Sequence, residues 1–362
     1  WVYSRYFIAG IYKLCDSLKK MTKNDIKKKK IFDIYSQNLK WIKEKTNAKF
    51  DTEFEYGVLC PLCLNVFIEK DLKPSELNHL TLEHNPPKSL GGKDNILTCK
   101  ECNNRNGHKT DLELLNYLLE QEFKSFSPNS NHRTKLVTKD GAKVTADLSF
   151  DNKGKMTFNI HSKYSNPKDY KSFIDSEEKG FFPIEGEIGK FATKRYKFEI
   201  PIPDKGNMRL ASISLLKIGY LLGFEKYGHI FLFNKNNEKI REQILNPEKE
   251  ILTEPFWINY EFPEMYVGVN IINEPKELIC FLNTFNLKTK SRNVQISIAF
   301  PGYYEEDFKI YENIKKTLCS SEKGNVNMEI TTLEPFLDLK DEDKIFSSAL
   351  IWDRKKAIAQ QR

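Results

Sequence analysis

The chain has 362 residues, of which 40% are hydrophobic and 30% are charged, and its net charge is +7. This length predicts two or three domains with enough apolar content for a sizeable core. No apolar run is long enough to span a bilayer and no secretory signal is evident, so the sequence predicts a cytoplasmic protein.

The positive charge is concentrated at the N-terminus. Residues 1–50 carry 13 Lys or Arg against 4 Asp or Glu, which leaves a net charge of −2 for the other 312 residues. A run of four basic residues is able to follow a phosphate backbone without reading its sequence. The run is Lys27, Lys28, Lys29 and Lys30. A solvated helix face is the alternative interpretation, because apolar residues recur at helical spacing from Ile31 to Ile42.

Four cysteines form two pairs at C-x-x-C spacing, Cys60 with Cys63 and Cys99 with Cys102, and 35 residues separate the pairs. Two such pairs supply the four corners of a tetrahedral site, so we predict a structural Zn²⁺ ion. A redox dithiol and two disulfides remain alternatives, although neither pair follows a thioredoxin-like strand. Because sulfur fills all four positions, this zinc would leave no open coordination site for catalysis.

The loop between the two cysteine pairs is polar. Residues 80–82 alternate like a short strand, whose end presents Glu83 and His84. The pair Gly91-Gly92 predicts a turn at which the backbone can approach a phosphate, and Asn95 leads into a second short strand. Beyond the second cysteine pair, leucines recur at helical spacing. The predicted local order is therefore strand, loop, strand, helix.

This constellation resembles the HNH endonucleases, the zinc-knuckled branch of the ββα-metal nucleases. Their pattern runs C-x-x-C, an acid-His pair, Pro, Gly-Gly, Asn, and then C-x-x-C followed at once by His or Asn. Every element has a matching residue here, in the same order. The matching residues are Cys60, Cys63, Glu83, His84, Pro86, Gly91, Gly92, Asn95, Cys99, Cys102 and Asn103. The resemblance covers about residues 56 to 120, which is the size of one small domain.

The resemblance implies a metal-dependent phosphodiester hydrolase with a ββα-metal fold. His84 takes the position of the general base, because a histidine with an ordinary pKa of about 6.5 is able to deprotonate water near neutral pH. Glu83 and Asn103 take the positions that hold a catalytic divalent cation, which we expect to be Mg²⁺ or Mn²⁺. Asn95 takes the position of the asparagine that braces the catalytic loop. His108 is a secondary candidate.

Two positions depart from the commonest pattern of the family. Glu83 stands where Asp is more frequent, and its longer side chain would shift or loosen the cation. Asn103 stands where His is more frequent, and its oxygen would favour Mg²⁺ over softer metals.

The resemblance implies a nucleic-acid substrate, and we expect DNA, with RNA as an alternative. The expected contacts are the basic run at residues 27–30 and Arg105. A role in restriction or phage defence is expected, and a second copy of the chain or a defence protein stays open as a partner. A different class of protein also stays open, namely a zinc-stapled nucleic-acid-binding or regulatory protein whose Glu83-His84 pair is catalytically idle.

The remaining two thirds of the sequence predict an α+β domain, and no motif in it indicates a function. Residues 125–131 resemble a linker, and strict alternation over 144–160 predicts a β-hairpin. Residues 211–224 are apolar almost all round, broken by Lys217, and predict a buried core helix. The predicted organisation is a basic helical segment at 1–50, an HNH nuclease domain at 51–125 and an α+β domain at 126–362 for target recognition or regulation. Cys15, Cys280 and Cys319 are predicted to be reduced, buried thiols.

Overall fold

The computed structural model describes residues 22–46, 54–138, 141–178, 198–200, 206–254, 256–258, 262–302, 308–318, 326–333 and 337–347. The helices are α1 (Lys23–Lys45), α2 (Lys100–Asn106), α3 (Leu112–Lys124), α4 (Pro167–Glu178), α5 (Met208–Tyr227), α6 (Asn236–Leu245) and α7 (Ile310–Leu318). The predictions for Cys15 and Cys319 lie outside the described residues. The prediction for Cys280 is confirmed, because this free thiol is fully buried.

The strands pair in antiparallel sheets. The strands are β1 (Val58–Leu59), β2 (Val66–Phe67), β3 (Leu80–Asn85), β4 (Lys93–Cys99), β5 (Asn131–Thr138), β6 (Lys143–Phe150), β7 (Met156–Ile160), β8 (Phe198–Glu199), β9 (Trp257–Ile258), β10 (Gly268–Glu274), β11 (Cys280–Lys288), β12 (Asn293–Phe300) and β13 (Glu329–Thr332). A five-stranded sheet has the order β13-β10-β11-β12-β9, and a four-stranded sheet has the order β7-β6-β5-β8. Helices combined with antiparallel sheets confirm the predicted α+β class.

The hairpin predicted over residues 144–160 is confirmed by β6 and β7, which pair with Phe150 opposite Met156. The predicted linker at residues 125–131 is shorter in the structure. The helix α3 ends at Lys124 and β5 already begins at Asn131. Six residues, 125–130, therefore separate the helix from the four-stranded sheet.

The helix α5 lies at the centre of the described structure and is covered on every face. Its apolar residues pack on the five-stranded sheet, and Lys217, which interrupts the apolar pattern, is itself only 1% exposed. Gly219 allows this close approach, because a Cβ atom there would lie 2.8 Å from the Cβ atom of Ile298 on β12. The predicted core helix is therefore confirmed, with bounds wider than residues 211–224.

One hydrophobic core extends through segments that are far apart in the sequence. It includes Leu39 of α1, Leu97 of β4, Leu216 of α5 and Ile298 of β12. The four-stranded sheet packs on smaller clusters of its own, one of them around Val144. The segment that carries the paired cysteines thus shares its core with α1 and with the C-terminal sheet. The domain boundaries given above stay a prediction.

The helix α1 follows from its amphipathic pattern and from its N-cap. Thr22 accepts a hydrogen bond from the backbone of Asp25, and the Asp25 carboxylate accepts one from the Thr22 backbone, which together form a capping box. The apolar face turns inward, and the predicted amphipathic helix is confirmed. Its buried residues are Ile31, Phe32, Tyr35, Ser36, Asn38, Leu39 and Ile42.

His229 is a buried connection between α1, β1 and the residues that follow α5. Its Nε2 atom accepts a hydrogen bond from the backbone of Leu59 at 3.1 Å, and its Nδ1 atom lies 3.2 Å from the side-chain oxygen of Asn38. This pattern fixes the neutral tautomer that carries the proton on Nδ1. Burial lowers the pKa of His229 to about 3. The imidazole is a satisfied core group, as we expect for most lone histidines.

This histidine predicts a loss of stability in acid. An ordinary histidine in the unfolded chain has a pKa of about 6.5 and takes up a proton that folded His229 excludes down to about pH 3. The unfolded state therefore binds more protons between these values, and stability falls as the pH falls through this window. We expect the melting temperature of His229→Gln to fall less steeply than that of the parent between pH 7 and pH 5. Equal slopes would contradict this assignment.

Candidate functional site

The four paired cysteines converge in the structure. Cys60 follows β1, Cys63 lies in the turn before β2, Cys99 ends β4, and Cys102 lies in the first turn of α2. All four Sγ atoms lie within 4.8 Å of one another. The Sγ atoms of Cys63 and Cys99 are 3.8 Å apart. Tetrahedral zinc with Zn–S bonds of 2.3 Å requires sulfur atoms about 3.8 Å apart, so this cluster is able to hold a metal ion such as zinc.

Backbone groups and a distant helix support the cysteine cluster. The amide of Cys102 donates a hydrogen bond to the Sγ atom of Cys99 at 3.5 Å. The hydroxyl of Tyr220 on α5 donates to the carbonyl of Pro61, inside the first cysteine pair, at 2.9 Å. Burial raises the pKa of the Cys60 thiol, which favours the protonated form unless a cation lies beside the sulfur. The support for a metal ion is therefore the convergence of the four sulfur atoms.

Glu83 and His84 are adjacent on β3, and His84 lies at a register shift in the pairing of β3 with β4, between Glu83 and Asn85. Glu83 is 3% exposed and contacts α5. His84 is half-buried and lies on the side of Asp94. The pKa of Asp94 is lowered mainly by its hydrogen bond from Lys27, and the nearby charge of His84 lowers it further. The acid and the histidine of the predicted pair therefore have different surroundings.

Glu83 belongs to a buried ion network. Its Oε1 atom lies 3.1 Å from the ammonium of Lys217, and its Oε2 atom accepts a hydrogen bond from the hydroxyl of Thr98 at 3.2 Å. The same ammonium lies 2.7 Å from the Oδ2 atom of Asp111, whose other oxygen accepts a hydrogen bond from Ser214 at 2.8 Å. Two carboxylates thus contact one lysine, and each carboxylate also accepts a hydrogen bond from a hydroxyl group.

Lys217 is charged in this environment. Burial alone would lower its pKa, but the carboxylates of Glu83 and Asp111 raise the pKa above its usual range. A buried ammonium with two carboxylate partners satisfies the requirement that buried charges be paired.

The network leaves neither oxygen of Glu83 free. One oxygen is bound by Lys217 and the other by Thr98. A divalent cation needs oxygen ligands at about 2.0–2.2 Å, which are shorter contacts than these hydrogen bonds leave room for. In this arrangement Glu83 does not fit a catalytic cation, and its metal-binding role stays a prediction.

The side chain of Asn103 donates hydrogen bonds to β3, and the side chain of Asn95 donates one to α5. The Asn103 amide donates to the Thr81 hydroxyl at 3.0 Å and to the Leu82 carbonyl at 3.3 Å, which fixes α2 against the edge of β3. The Asn95 amide donates to a carboxylate oxygen of Glu225 near the end of α5 at 3.3 Å. Asn95 on β4 thus connects the hairpin to α5, and its role in bracing a catalytic loop stays a prediction.

The two glycines of the loop have different local roles. Gly91 has a φ of 86° and ends a short helical turn in a left-handed conformation. A Cβ atom on Gly92 would lie 1.4 Å from the carbonyl oxygen of Pro86, so only glycine is tolerated there. These glycines close the turn between β3 and β4 and keep His84 at the end of its strand.

The helix that follows Asn103 is not continuous. A π-helical segment, Gly107–Asp111, separates α2 from α3 and contains the secondary candidate His108. A π-turn contains an extra residue and rotates the residues that follow it. Asp111, the last residue of this segment, contacts Lys217. Sequence reasoning missed Asp111 and Lys217, although a single charge in an apolar helix was a signal for Lys217.

Three of the five basic residues predicted to bind nucleic acid form ion pairs within the chain. Lys27 lies 2.5 Å from Asp94, Lys29 contacts both Asp33 and Glu69, and Arg105 lies 2.6 Å from Glu101. Pairs this exposed contribute about 0–1 kcal/mol, so a phosphate is able to displace them.

Among the residues that the structure describes, Lys28 and Lys30 form no ion pair, although Lys28 is near enough to Asp25 to help lower the pKa of that carboxyl group. Together with the neighbouring Lys27 and Lys29, they give this end of α1 a concentrated positive charge.

Comparisons with protein families, with curated proteins and with solved structures found no match to this chain. Within its described ranges, the structure contains no helix that is long and apolar enough to cross a membrane. Any assignment of function therefore depends on the residues themselves.

Loss of one ligand of the cysteine cluster should release the metal. We expect the purified parent to contain about one zinc ion per chain, and we expect Cys60→Ser or Cys102→Ser to lose it and to melt about 10 °C lower or more. Cys280→Ala is the matched control, because Cys280 is buried outside the cluster. Retention of full zinc and of the parental melting temperature by the Cys60 variant would contradict a four-thiolate site.

Proposed function

We propose that this protein is a metal-dependent endonuclease of the HNH type that hydrolyses phosphodiester bonds in DNA. The observation that carries the proposal is the closure of the cysteine cluster on a hairpin, β3-β4, that continues directly into α2. This order of elements is the one that the sequence resemblance predicts. It puts His84 at the end of a strand and Asn103 on the helix beside it. In the proposal, the metal of the cysteine cluster is a structural zinc ion.

His84 is the residue that acts on water in this proposal. A ring nitrogen of His84 takes one proton from a water molecule, whose oxygen attacks phosphorus while the bond to the leaving sugar oxygen breaks. The negative charge of Asp94 on the same side of the hairpin stabilises the imidazolium that forms. The partial exposure of His84 supports this role, because substrate has to reach the imidazole.

The leaving oxygen also needs stabilisation. In the family a divalent cation, here expected to be Mg²⁺ or Mn²⁺, supplies positive charge there. In this structure the carboxylate of Glu83 is bound by Lys217 and Thr98 and is not free to hold that ion. In the proposal the enzyme acts in the cytoplasm on invading DNA, and residues 126–362 select the target or regulate cleavage, by analogy with other HNH proteins.

A second candidate function is favoured by the burial of Glu83. A carboxylate that is 3% exposed and fully engaged is typical of a structural ion pair. The cysteine cluster would then staple a nucleic-acid-binding module that has no catalytic activity.

Cleavage assays distinguish the two candidates. The parent, His84→Ala and the control His161→Ala should be incubated with plasmid, single-stranded DNA and RNA, in Mg²⁺ or in a chelator. We expect Mg²⁺-dependent cleavage of DNA that falls about 100-fold or more in His84→Ala and stays unchanged in His161→Ala, with equal zinc contents. Equal cleavage by the parent and His84→Ala would contradict the role of His84, and no cleavage of any substrate by either protein would favour the binding module.

The concentrated positive charge on α1 predicts a measurable contribution to DNA affinity. We expect Lys28→Ala with Lys30→Ala to weaken duplex binding and to reduce the slope of log affinity against log salt by about 1.8, because two phosphate contacts are lost. The matched control is Lys168→Ala with Lys171→Ala on the exposed face of α4. The same slope for parent and α1 variant, measured by fluorescence anisotropy, would identify these lysines as a solvated face only.

A further inference from the structure

Lys217 brings a positive charge to the position where the proposed nuclease needs a metal ion. Its ammonium lies 3.1 Å from Glu83, the residue that matches the family's metal-holding acid, and 2.7 Å from a second carboxylate, Asp111. The side chain of Lys217 is 1% exposed, so cations in the solvent do not compete directly with its ammonium for the carboxylates. Positive charge beside Glu83 is therefore supplied by the chain itself.

We infer that Lys217 is an internal latch on the nuclease site. Its ammonium occupies the cation position beside Glu83, and a divalent cation binds there only when the ammonium leaves. This inference deepens the proposed function and rests on it, because it concerns the regulation of the same site.

The charge balance of the network would favour replacement of the Lys217 ammonium by a divalent cation. Two carboxylates, those of Glu83 and Asp111, face one ammonium, so the buried group keeps a net charge of −1. Uncompensated charge is costly where the effective dielectric constant is low. Hydroxyl groups of Thr98 and Ser214 donate to the remaining oxygens and offset part of that cost. A divalent cation would neutralise both carboxylates, which the lysine cannot do.

The position of the latch links the site to the C-terminal sheet. Lys217 belongs to α5, and its neighbour Ile218 accepts a hydrogen bond from Asn85 at the end of β3 at 3.0 Å. On its other side, α5 packs on β12 through Gly219. The helix that carries the latch thus contacts both the hairpin and the C-terminal sheet.

The direct test is a Mn²⁺ titration of purified proteins, followed by electron paramagnetic resonance and by thermal unfolding. We expect Lys217→Met to bind one more Mn²⁺ ion than the parent and to be stabilised by it, because two unpaired carboxylates remain. Glu83→Gln with Lys217→Met should bind no additional ion. Lys235→Met, which removes an exposed lysine before α6, should behave as the parent.

Each outcome of this titration decides the inference. Equal Mn²⁺ binding by the parent and Lys217→Met would overturn the latch, and so would a folded Lys217→Met that binds no additional ion. If Lys217→Met does not fold, the same Mn²⁺ titration is made with Lys217→Gln, and the same outcomes apply. Failure of both variants to fold even with Mn²⁺ present would make the ammonium a fixed part of the core and overturn the inference.

Cleavage assays separate the latch from the proposed function. We expect Lys217→Met to cleave DNA about tenfold faster than the parent, since the competing ammonium is gone. Mn²⁺ uptake by Lys217→Met without cleavage of any nucleic acid would support the latch and reject the nuclease. Cleavage that depends on His84 in a parent that already binds Mn²⁺ beside Glu83 would support the nuclease and reject the latch.

Discussion

The contact of one buried ammonium with two carboxylates organises the site. Lys217 holds Glu83 of β3 and Asp111 of the π-helical segment at 3.1 and 2.7 Å, and so fixes α5 against the hairpin. Removal of one partner would leave an unpaired buried charge, which costs about 3–5 kcal/mol. The hairpin, the helix behind it and the C-terminal sheet therefore respond to the same few atoms. The cysteine-bearing segment also shares one hydrophobic core with α1, α5 and the C-terminal sheet.

The cysteine cluster and the ion network stabilise different parts of the same hairpin. The cluster closes the ends of the polar loop, with Tyr220 of α5 bonded to the carbonyl of Pro61. The network engages the carboxylate of Glu83, whereas the neighbouring His84 is half-buried and lies outside the network. A nuclease with this geometry has a partly exposed base and an acid that is closed off. Such an enzyme would be held at low activity until the ammonium of Lys217 leaves, whereas a binding module would keep this arrangement permanently.

The features predicted from the sequence are those that depend on short-range patterns. The spacing of the paired cysteines, the alternation in β6 and β7 and the apolar run in α5 each lie within a few tens of residues, and the structure confirms these elements. The contact between Lys217 and Glu83 joins residues 134 positions apart, and no local period encodes it. The π-helical segment that ends at Asp111 was equally hidden, because it interrupts a leucine pattern that predicts a continuous helix. The acid-His pair was therefore found from sequence, while the partner of its acid was not.

The central claim is that Lys217 excludes a divalent cation from Glu83. Crystals of the parent and of Lys217→Met, both soaked in Mn²⁺ and measured at the manganese and zinc absorption edges, test it directly. We expect an anomalous zinc peak among the four cysteines in both proteins, and a manganese peak beside Glu83 in Lys217→Met alone. A manganese peak beside Glu83 in the parent, or none in the variant, would contradict it.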